Sequence, residues 1–226
     1  MTKKARRVSR VSRASLLWSA LVALAVVIAV FVILRSGQPR SSGASANGNG
    51  TSGGHATATL RAGLDMRMRP APAFNLVDQN GAGVTLASLH GHPVVLTFLD
   101  ATCTQQCPIM IEWLNWTAQF LTPQQIAQVD WVAISVNPNN TPAQATAFLA
   151  KNKATMSFHF LLGAQAQLQP LWTSYRITVL PGRQTDVVHT SGLYLIDQQG
   201  REREWTDGSF DPKMLAADLQ TLLAVS

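Results

Sequence analysis

The chain has 226 residues, of which 46% are hydrophobic and 13% charged, a composition that fits one well-cored domain with appendages and excludes wholesale disorder. Its formal net charge of +6 invites a nucleic-acid role, but eight of the 18 lysines and arginines lie in the first 40 residues, and no acidic residue precedes Asp65. The remaining residues carry ten basic and 12 acidic side chains, so the folded part lacks the basic surface that phosphate binding requires. We therefore expect no nucleic-acid partner.

The N-terminal region carries a basic tail at residues 1–14, followed by an uncharged apolar segment at residues 15–34. At about 1.5 Å per residue this segment spans the roughly 30 Å hydrocarbon core of a bilayer, which predicts a single transmembrane anchor. The denser positive charge before the segment predicts a cytoplasmic N-terminus and an extracytoplasmic remainder, in the plasma membrane of a bacterium. A cleaved signal peptide is the alternative, but its apolar region is usually only about 7–15 residues long.

Residues 35–59 are rich in serine, glycine, asparagine, alanine and threonine and have no apolar periodicity. This composition predicts a flexible linker with a reach of roughly 25–30 Å. The folded domain is expected to occupy residues 60–226.

The predicted elements of that domain alternate between strands and helices and finish with a hairpin and a helix. This order predicts an α/β domain of three layers with a mixed central sheet. The buried strand at 93–99 is followed by the cysteine segment, and Pro108 suits the first turn of the next helix. The expected strands are 74–77, 84–86, 93–99, 131–136, 158–162, 193–196 and 201–206, and the expected helices are 108–120, 142–151, 165–175 and one beginning at 212.

The two cysteines, Cys103 and Cys107, lie where the strand at 93–99 ends and the helix is expected to begin. A spacing of four residues on a first helical turn would place both sulfurs on one side, where free backbone N–H groups and the helix dipole favour thiolates. Such a pair can exchange disulfides or bind a soft metal ion. Two buried structural cysteines are the less favoured alternative, and the pair alone does not decide between redox chemistry and a metal.

A third ligand would favour a metal, and His189 is the strongest candidate among the five histidines. It shortly precedes the expected strand at 193–196, which in a thioredoxin-type sheet starts beside the cysteine loop, and it follows an irregular stretch at 180–186. Two thiolates and one imidazole suit Cu(I) and can hold Cu(II). The other histidines have simpler expected places, in the linker (His55), in a turn (His90, His92) and in a strand (His159).

Five stretches of the chain resemble the SCO/SenC family, the copper-binding assembly factors of cytochrome c oxidase. They are FNLVDQNGAGVTLASLHGHPVVLTF, CTQQCP, VAISVNPNNTP, LLGAQAQLQPLWTSYRI and VVHTSGLYLIDQQG. The resemblance implies a thioredoxin-like fold, one N-terminal anchor helix, and copper, as Cu(I) and/or Cu(II), held by Cys103, Cys107 and His189. It implies a membrane-anchored metallochaperone rather than a turnover enzyme, with cytochrome c oxidase subunit II as the copper acceptor.

The chain departs from the family beside the expected site. The family's aromatic-Thr-x-Cys lead-in is replaced by Asp100-Ala101-Thr102 before the first cysteine, and the acids of its S-V-D-P and D-T-P motifs are Asn137 and Asn140 here. If those acids surround the metal, the site loses negative charge that would stabilise a cation. Asp100 is a candidate to compensate for the loss.

An extracytoplasmic thiol–disulfide oxidoreductase of the TlpA or thioredoxin type is the alternative function, with Cys103 and Cys107 as its redox pair. Those proteins carry C-x-x-C and a cis-proline just before the late strand, whereas this chain has C-x-x-x-C and Thr190-Ser191 there. A peroxiredoxin-like peroxidase is less well supported, because it requires a lone peroxidatic cysteine. His189, which a generic reductase does not need, favours copper.

Overall fold

A computed structural model of the chain describes residues 60–181 and 187–225. The predicted basic tail, transmembrane anchor and linker at residues 1–59 lie outside this part, so they stay predictions. Within the two described ranges, no helix is both long enough and apolar enough to cross a membrane.

A mixed six-stranded sheet runs through the domain in the order β1-β10-β9-β4-β5-β6. Strands β4, β5 and β6 are parallel, whereas β9, β10 and β1 join them by antiparallel pairing. The two central strands, β4 and β9, are buried along their whole length, as expected where both faces of a sheet are covered. The strands are β1 (Leu64–Pro70), β4 (Val94–Leu99), β5 (Asp130–Ser135), β6 (Phe158–Leu161), β9 (Leu193–Ile196) and β10 (Arg201–Thr206).

Helices and two short hairpins surround the sheet. Threonine and proline begin the helix after β5 as the sequence predicts, since the Thr141 hydroxyl accepts a hydrogen bond from the backbone N–H of Gln144. The helices are α1 (Gln106–Ala118), α2 (Pro123–Ala127), α3 (Pro142–Lys151), α4 (Gln165–Ser174) and α5 (Pro212–Ala224), with a 3₁₀ helix at Leu86–Leu89. The hairpins are β2 (Asn75–Val77) with β3 (Gly83–Thr85), and β7 (Val179–Pro181) with β8 (Val187–His189).

Two hydrophobic cores lie on opposite faces of the sheet. Helices α1, α3 and α5 pack on one face through side chains such as Ile111, Phe148 and Leu219. Helix α4 packs on the other face through Leu168 and Trp172. This arrangement is the predicted three-layer α/β domain with a mixed sheet.

Four elements of the structure have no predicted counterpart, namely β1, the 3₁₀ helix, α2 and the β7–β8 hairpin. Strand β1 is irregular, because its register with β10 shifts between Asp65 and Arg69 and the two residues Arg67 and Met68 have positive φ angles. The hairpin strands have only three residues each; β7 overlaps the start of the stretch at 180–186 that was predicted to be irregular, and β8 follows that stretch. Hairpins this short depend on packing against the rest of the fold rather than on local pattern.

Two buried carboxyl groups accept hydrogen bonds from the backbone at the beginning of the described domain. Glu204 on β10 and Asp218 on α5 are 2% and 3% exposed. Asp218 accepts hydrogen bonds from the backbone N–H groups of Arg61 and Ala62, and Glu204 accepts one from Gly63. The second oxygen of Glu204 has no donor among the described residues. Burial, and next the charge of Asp218, raise the pKa of Glu204 to about 7.

We expect Glu204→Gln to stabilise the fold by about 1.5–3 kcal/mol at pH 8, the scale of a hydrogen bond to a charged group. Because the pKa of Glu204 is raised from an ordinary 4.5 to about 7, the folded chain holds a proton that the unfolded chain releases at lower pH. The wild type should therefore lose stability as the pH rises from 4.5 to 7, and the variant should lose less. Urea unfolding across this range measures both, with the exposed Glu112→Gln as the control. An unchanged pH slope in Glu204→Gln would contradict the expectation.

Candidate metal centre

The structure brings Cys103, Cys107 and His189 together beside the carboxyl end of β4. Cys103 lies in the loop between β4 and α1, Cys107 is the second residue of α1, and His189 is the last residue of β8. The Sγ atom of Cys107 is 3.9 Å from Nε2 of His189. The backbone N–H of Cys107 donates a hydrogen bond to Sγ of Cys103, with a separation of 3.4 Å.

The spacing of the cysteines predicted that both lie on the first turn of the helix, but the structure places only Cys107 there. Helix α1 begins at Gln106 instead of Pro108, and Cys103 precedes it. The N-cap residue, Gln105, makes no capping hydrogen bond with its side chain. The sulfur of Cys103 accepts the N–H of Cys107 instead, so it satisfies one of the unpaired donors at the helix N-terminus. The expected proximity of the sulfur to free backbone N–H groups is therefore present, by a different local geometry.

The two sulfurs have opposite acidities. A hydrogen bond from the Cys107 thiol, and then the backbone N–H groups of Cys107, Gln105 and Gln106, outweigh burial and lower the pKa of Cys103 to about 5. The same hydrogen bond, together with burial and the charges of Cys103 and Asp100, raises the pKa of Cys107. At neutral pH the pair is thus one thiolate, on Cys103, and one thiol, on Cys107.

The imidazole of His189 is oriented by its own strand. Its Nδ1 atom lies 3.0 Å from the carbonyl oxygen of Thr190, which can only accept a hydrogen bond. The proton therefore belongs on Nδ1, and Nε2 presents its lone pair toward Cys107. Thr190 is fixed in turn, since its backbone N–H donates to the Thr178 carbonyl oxygen and its hydroxyl accepts from the Thr178 N–H, both at 3.0 Å. The sequence analysis did not identify this pair of threonines, and no sequence motif marks it.

Two of the three candidate ligands border an open pocket of about 390 Å³. Cys103 and His189 line it, as does Asp100 at the end of β4, while Cys107 is buried beneath with 2% of its surface exposed. Val188 forms part of the rim and is 61% exposed. One thiolate and one imidazole are accordingly reachable from solvent, next to an exposed apolar side chain.

The separation of the donor atoms fits a small soft metal ion. With bonds of about 2.3 Å to sulfur and about 2.0 Å to nitrogen, a trigonal ion would hold the two donors roughly 3.7 Å apart. Cys107 Sγ and His189 Nε2 are 3.9 Å apart. In residues 60–181 and 187–225, no three His, Cys, Asp or Glu side chains already stand in the arrangement of a complete metal site. Binding therefore requires the ligands to turn toward a common point.

A hydrogen-bonded network of one acid and two amides adjoins the cysteines. The Asp100 carboxylate accepts hydrogen bonds from the Asn140 amide at 2.8 Å, the Asn137 amide at 3.3 Å, and the Thr102 hydroxyl at 2.8 Å. The backbone N–H of Asp100 lies 3.4 Å from Cys107 Sγ. Asp100 is thus in contact with both Asn137 and Asn140.

The other described histidines are remote from this site. His159 pairs with Asp78, with 3.0 Å between Nδ1 and Oδ2, near the start of β6. His92 faces Asp130 at 3.5 Å, where β5 begins. Both lie at the amino end of the parallel strands, opposite the cysteines, and His55 lies outside the described residues.

Comparison with known proteins matches residues 65–224 to the SCO1/SenC family. The chain is 28% identical to the SCO1 protein homolog of Bacillus subtilis over 133 residues, which are 57% of this chain and 68% of that protein. Bradyrhizobium japonicum ScoI, solved with copper bound, is 29% identical with a TM-score of 0.59, covering 68% of this chain and 99% of that one. BsSco, a member of the Sco family of cytochrome c oxidase assembly proteins, shares the fold at 23% identity and a TM-score of 0.61, covering 73% of this chain and 98% of that one.

Proposed function

The chain belongs to the SCO1/SenC family, and on that basis we propose that it is a copper metallochaperone that assists the assembly of cytochrome c oxidase. The observation that carries the proposal is the convergence of Cys103, Cys107 and His189, with 3.9 Å between Cys107 Sγ and His189 Nε2. Relatives with copper bound support the choice of metal. Copper is the cargo in this function, not a resident cofactor.

The three ligands suit a metal that must be released again. Thiolates and imidazole bind copper strongly, because both are soft or borderline donors. Cys103 and His189 face an open pocket, so an acceptor's ligands can replace them one at a time. Val188 and Leu180 on the β7–β8 hairpin are 61% and 54% exposed and offer an apolar surface to a protein partner.

The location and the acceptor extend the same proposal. The apolar segment at 15–34 would anchor the chain, and the linker at 35–59 would let the domain reach acceptors close to the outer face of the plasma membrane. The proposed acceptor is the copper site of cytochrome c oxidase subunit II. The support for these steps is the sequence pattern and the family resemblance.

A thiol–disulfide oxidoreductase is the second candidate, favoured by the lowered pKa of Cys103. The Cys103 thiolate would attack one sulfur of a substrate disulfide, forming a mixed disulfide and releasing the other sulfur as a thiolate. Cys107, after losing its proton, would then attack Cys103 Sγ. That step releases the second substrate thiolate and leaves a Cys103–Cys107 disulfide. This chemistry makes no use of His189.

Two measurements on residues 60–226, which contain both hydrophobic cores, separate the candidates. The first is copper stoichiometry, followed by mixing the loaded domain with the soluble copper domain of an oxidase subunit II and measuring the metal on each partner. The second is reduction of insulin disulfides. Binding of one copper ion and its transfer support the metallochaperone. Absence of copper binding together with insulin reduction would replace it by the oxidoreductase.

Copper affinity should rise about tenfold per pH unit between about pH 6 and 8, because binding displaces one proton in that range. The raised pKa of Cys107 keeps its thiol protonated there, whereas Cys103, with a pKa of about 5, is already a thiolate. Below pH 5 both sulfurs must lose a proton, so the dependence should become steeper. Competition with a copper chelator across this range measures the slope. An affinity that stays constant from pH 6 to 8 would show that Cys107 is not a ligand.

A further inference from the structure

We infer that Asp100 supplies the fixed negative charge of this copper site, and that this charge sets the preference for Cu(II) over Cu(I). The inference rests on the proposed copper binding. It assigns Asp100 a tuning role through its charge, distinct from the ligand roles of Cys103, Cys107 and His189.

The position of Asp100 places its charge at the site. It follows directly after β4, its backbone N–H lies 3.4 Å from Cys107 Sγ, and its carbonyl oxygen accepts the N–H of Cys103 at 3.1 Å. The residue borders the same pocket as Cys103 and His189 and is only 2% exposed. Water therefore screens its charge poorly, and its effect on a cation in the pocket is correspondingly large.

The surroundings of Asp100 are built for a carboxylate. Its oxygens receive hydrogen bonds from the Thr102 N–H and hydroxyl and from the side-chain amides of Asn137 and Asn140. These four groups all act as donors toward it. With aspartate at positions 137 and 140 as well, three carboxylates would share this space and the amide donors would be lost.

The network therefore holds one negative charge among neutral donors. Both ends of the Asn140 amide are used. Its NH₂ donates to Asp100, and its carbonyl oxygen accepts from the Ala101 N–H at 2.9 Å and from the Ser135 hydroxyl at 3.0 Å. The two amides fix the orientation of the acid and add no charge of their own.

The consequence for copper is electrostatic. Cu(II) carries one more positive charge than Cu(I), so a nearby buried carboxylate stabilises Cu(II) more strongly. Removing the charge should shift the site toward Cu(I), whereas adding a second charge should shift it toward Cu(II). Moving the charge from one end of the Asp100–Asn137 hydrogen bond to the other should change the preference little.

Three variants of the full chain test this, namely Asp100→Asn, Asn137→Asp, and the double variant that exchanges acid and amide. The measured quantity is the ratio of Cu(II) to Cu(I) affinity, each determined by competition with a chelator specific for that oxidation state. We expect a ratio at least tenfold lower in Asp100→Asn, which corresponds to a potential about 59 mV higher for this one-electron couple. We expect a ratio within about threefold of the wild type in the double variant. In Asn137→Asp we expect a ratio that rises only at higher pH, because a carboxylate this close to Asp100 shares its proton at neutral pH.

The double variant separates charge from structure, because it keeps an amide–carboxylate hydrogen bond and only reverses its direction. An unchanged ratio of Cu(II) to Cu(I) affinity in Asp100→Asn would overturn the inference. A folded double variant whose ratio is as low as that of Asp100→Asn would overturn it too. If Asp100→Asn does not fold, the comparison of Asn137→Asp with the wild type decides, and an equal ratio at every pH from 6 to 9 overturns it as well. A wild type that binds no copper would overturn the proposed function and this inference together.

Discussion

Replacing His189 with alanine is expected to lower the affinity of the chain for copper by at least about 100-fold. Removing a residue that only hydrogen-bonds to a metal ligand already lowers metal affinity by up to about 100-fold, and removing a ligand should cost at least as much. The structure gives the reason. Nε2 of His189 lies 3.9 Å from Cys107 Sγ, and the hydrogen bond from Nδ1 to the Thr190 carbonyl oxygen fixes the imidazole in the metal-binding tautomer. Alanine leaves two sulfurs and no nitrogen donor, which suits copper in a trigonal site poorly.

The matched control is His159→Ala. His159 is likewise a partly buried histidine at a strand, but it pairs with Asp78 at the other end of the sheet. This variant should retain one copper ion per chain with unchanged affinity, as measured by chelator competition. Equal losses in both variants would show a general effect of histidine removal, and no loss in His189→Ala would remove His189 from the ligand set.

Most of the fold could be predicted because its central elements carry strong local patterns. The apolar strands β4 and β5 and the Thr-Pro start of α3 are features that a few adjacent residues specify. The β7–β8 hairpin has no such pattern. Its two strands of three residues pair across the segment at 182–186, and Val179 lies opposite His189 only because the hairpin packs beside the sheet. Sequence reasoning therefore found His189 as a residue near the late strand, without the strand that presents it.

The candidate site, like the fold, combines features that the local sequence specifies with features that it does not. The sequence indicates which residue types lie near one another, since Cys103 and Cys107 are close along the chain. It does not indicate that Cys103 precedes the helix and accepts its N–H, because that depends on backbone angles at Gln105 that no residue preference specifies. The contact of Asp100 with Asn137 joins residues 37 positions apart, and such pairs follow from the parallel pairing of β4 with β5.

Replacing Tyr175 with alanine is expected to lower the free energy of unfolding by about 3–5 kcal/mol, the usual cost of removing a large aromatic side chain from a core. Tyr175 follows α4 and is fully buried. Its ring centroid lies 5.5 Å from that of Phe98 on β4 and 5.2 Å from that of Tyr194 on β9. The ring therefore fills the space beneath β4 and β9, and alanine would leave a cavity there.

Tyr175→Phe separates the ring from its hydroxyl, which donates a hydrogen bond to the Pro72 carbonyl oxygen at 2.6 Å. Losing that bond while keeping the ring should cost only about 1 kcal/mol. Urea unfolding of the metal-free proteins measures both changes, and equal losses in the two variants would assign the stability to the hydroxyl instead of the ring.

Because Tyr175 contacts none of the three ligands, the alanine variant should still bind one copper ion per folded chain at low temperature. A folded variant without copper would show that the packing beneath β4 determines the position of the cysteine loop.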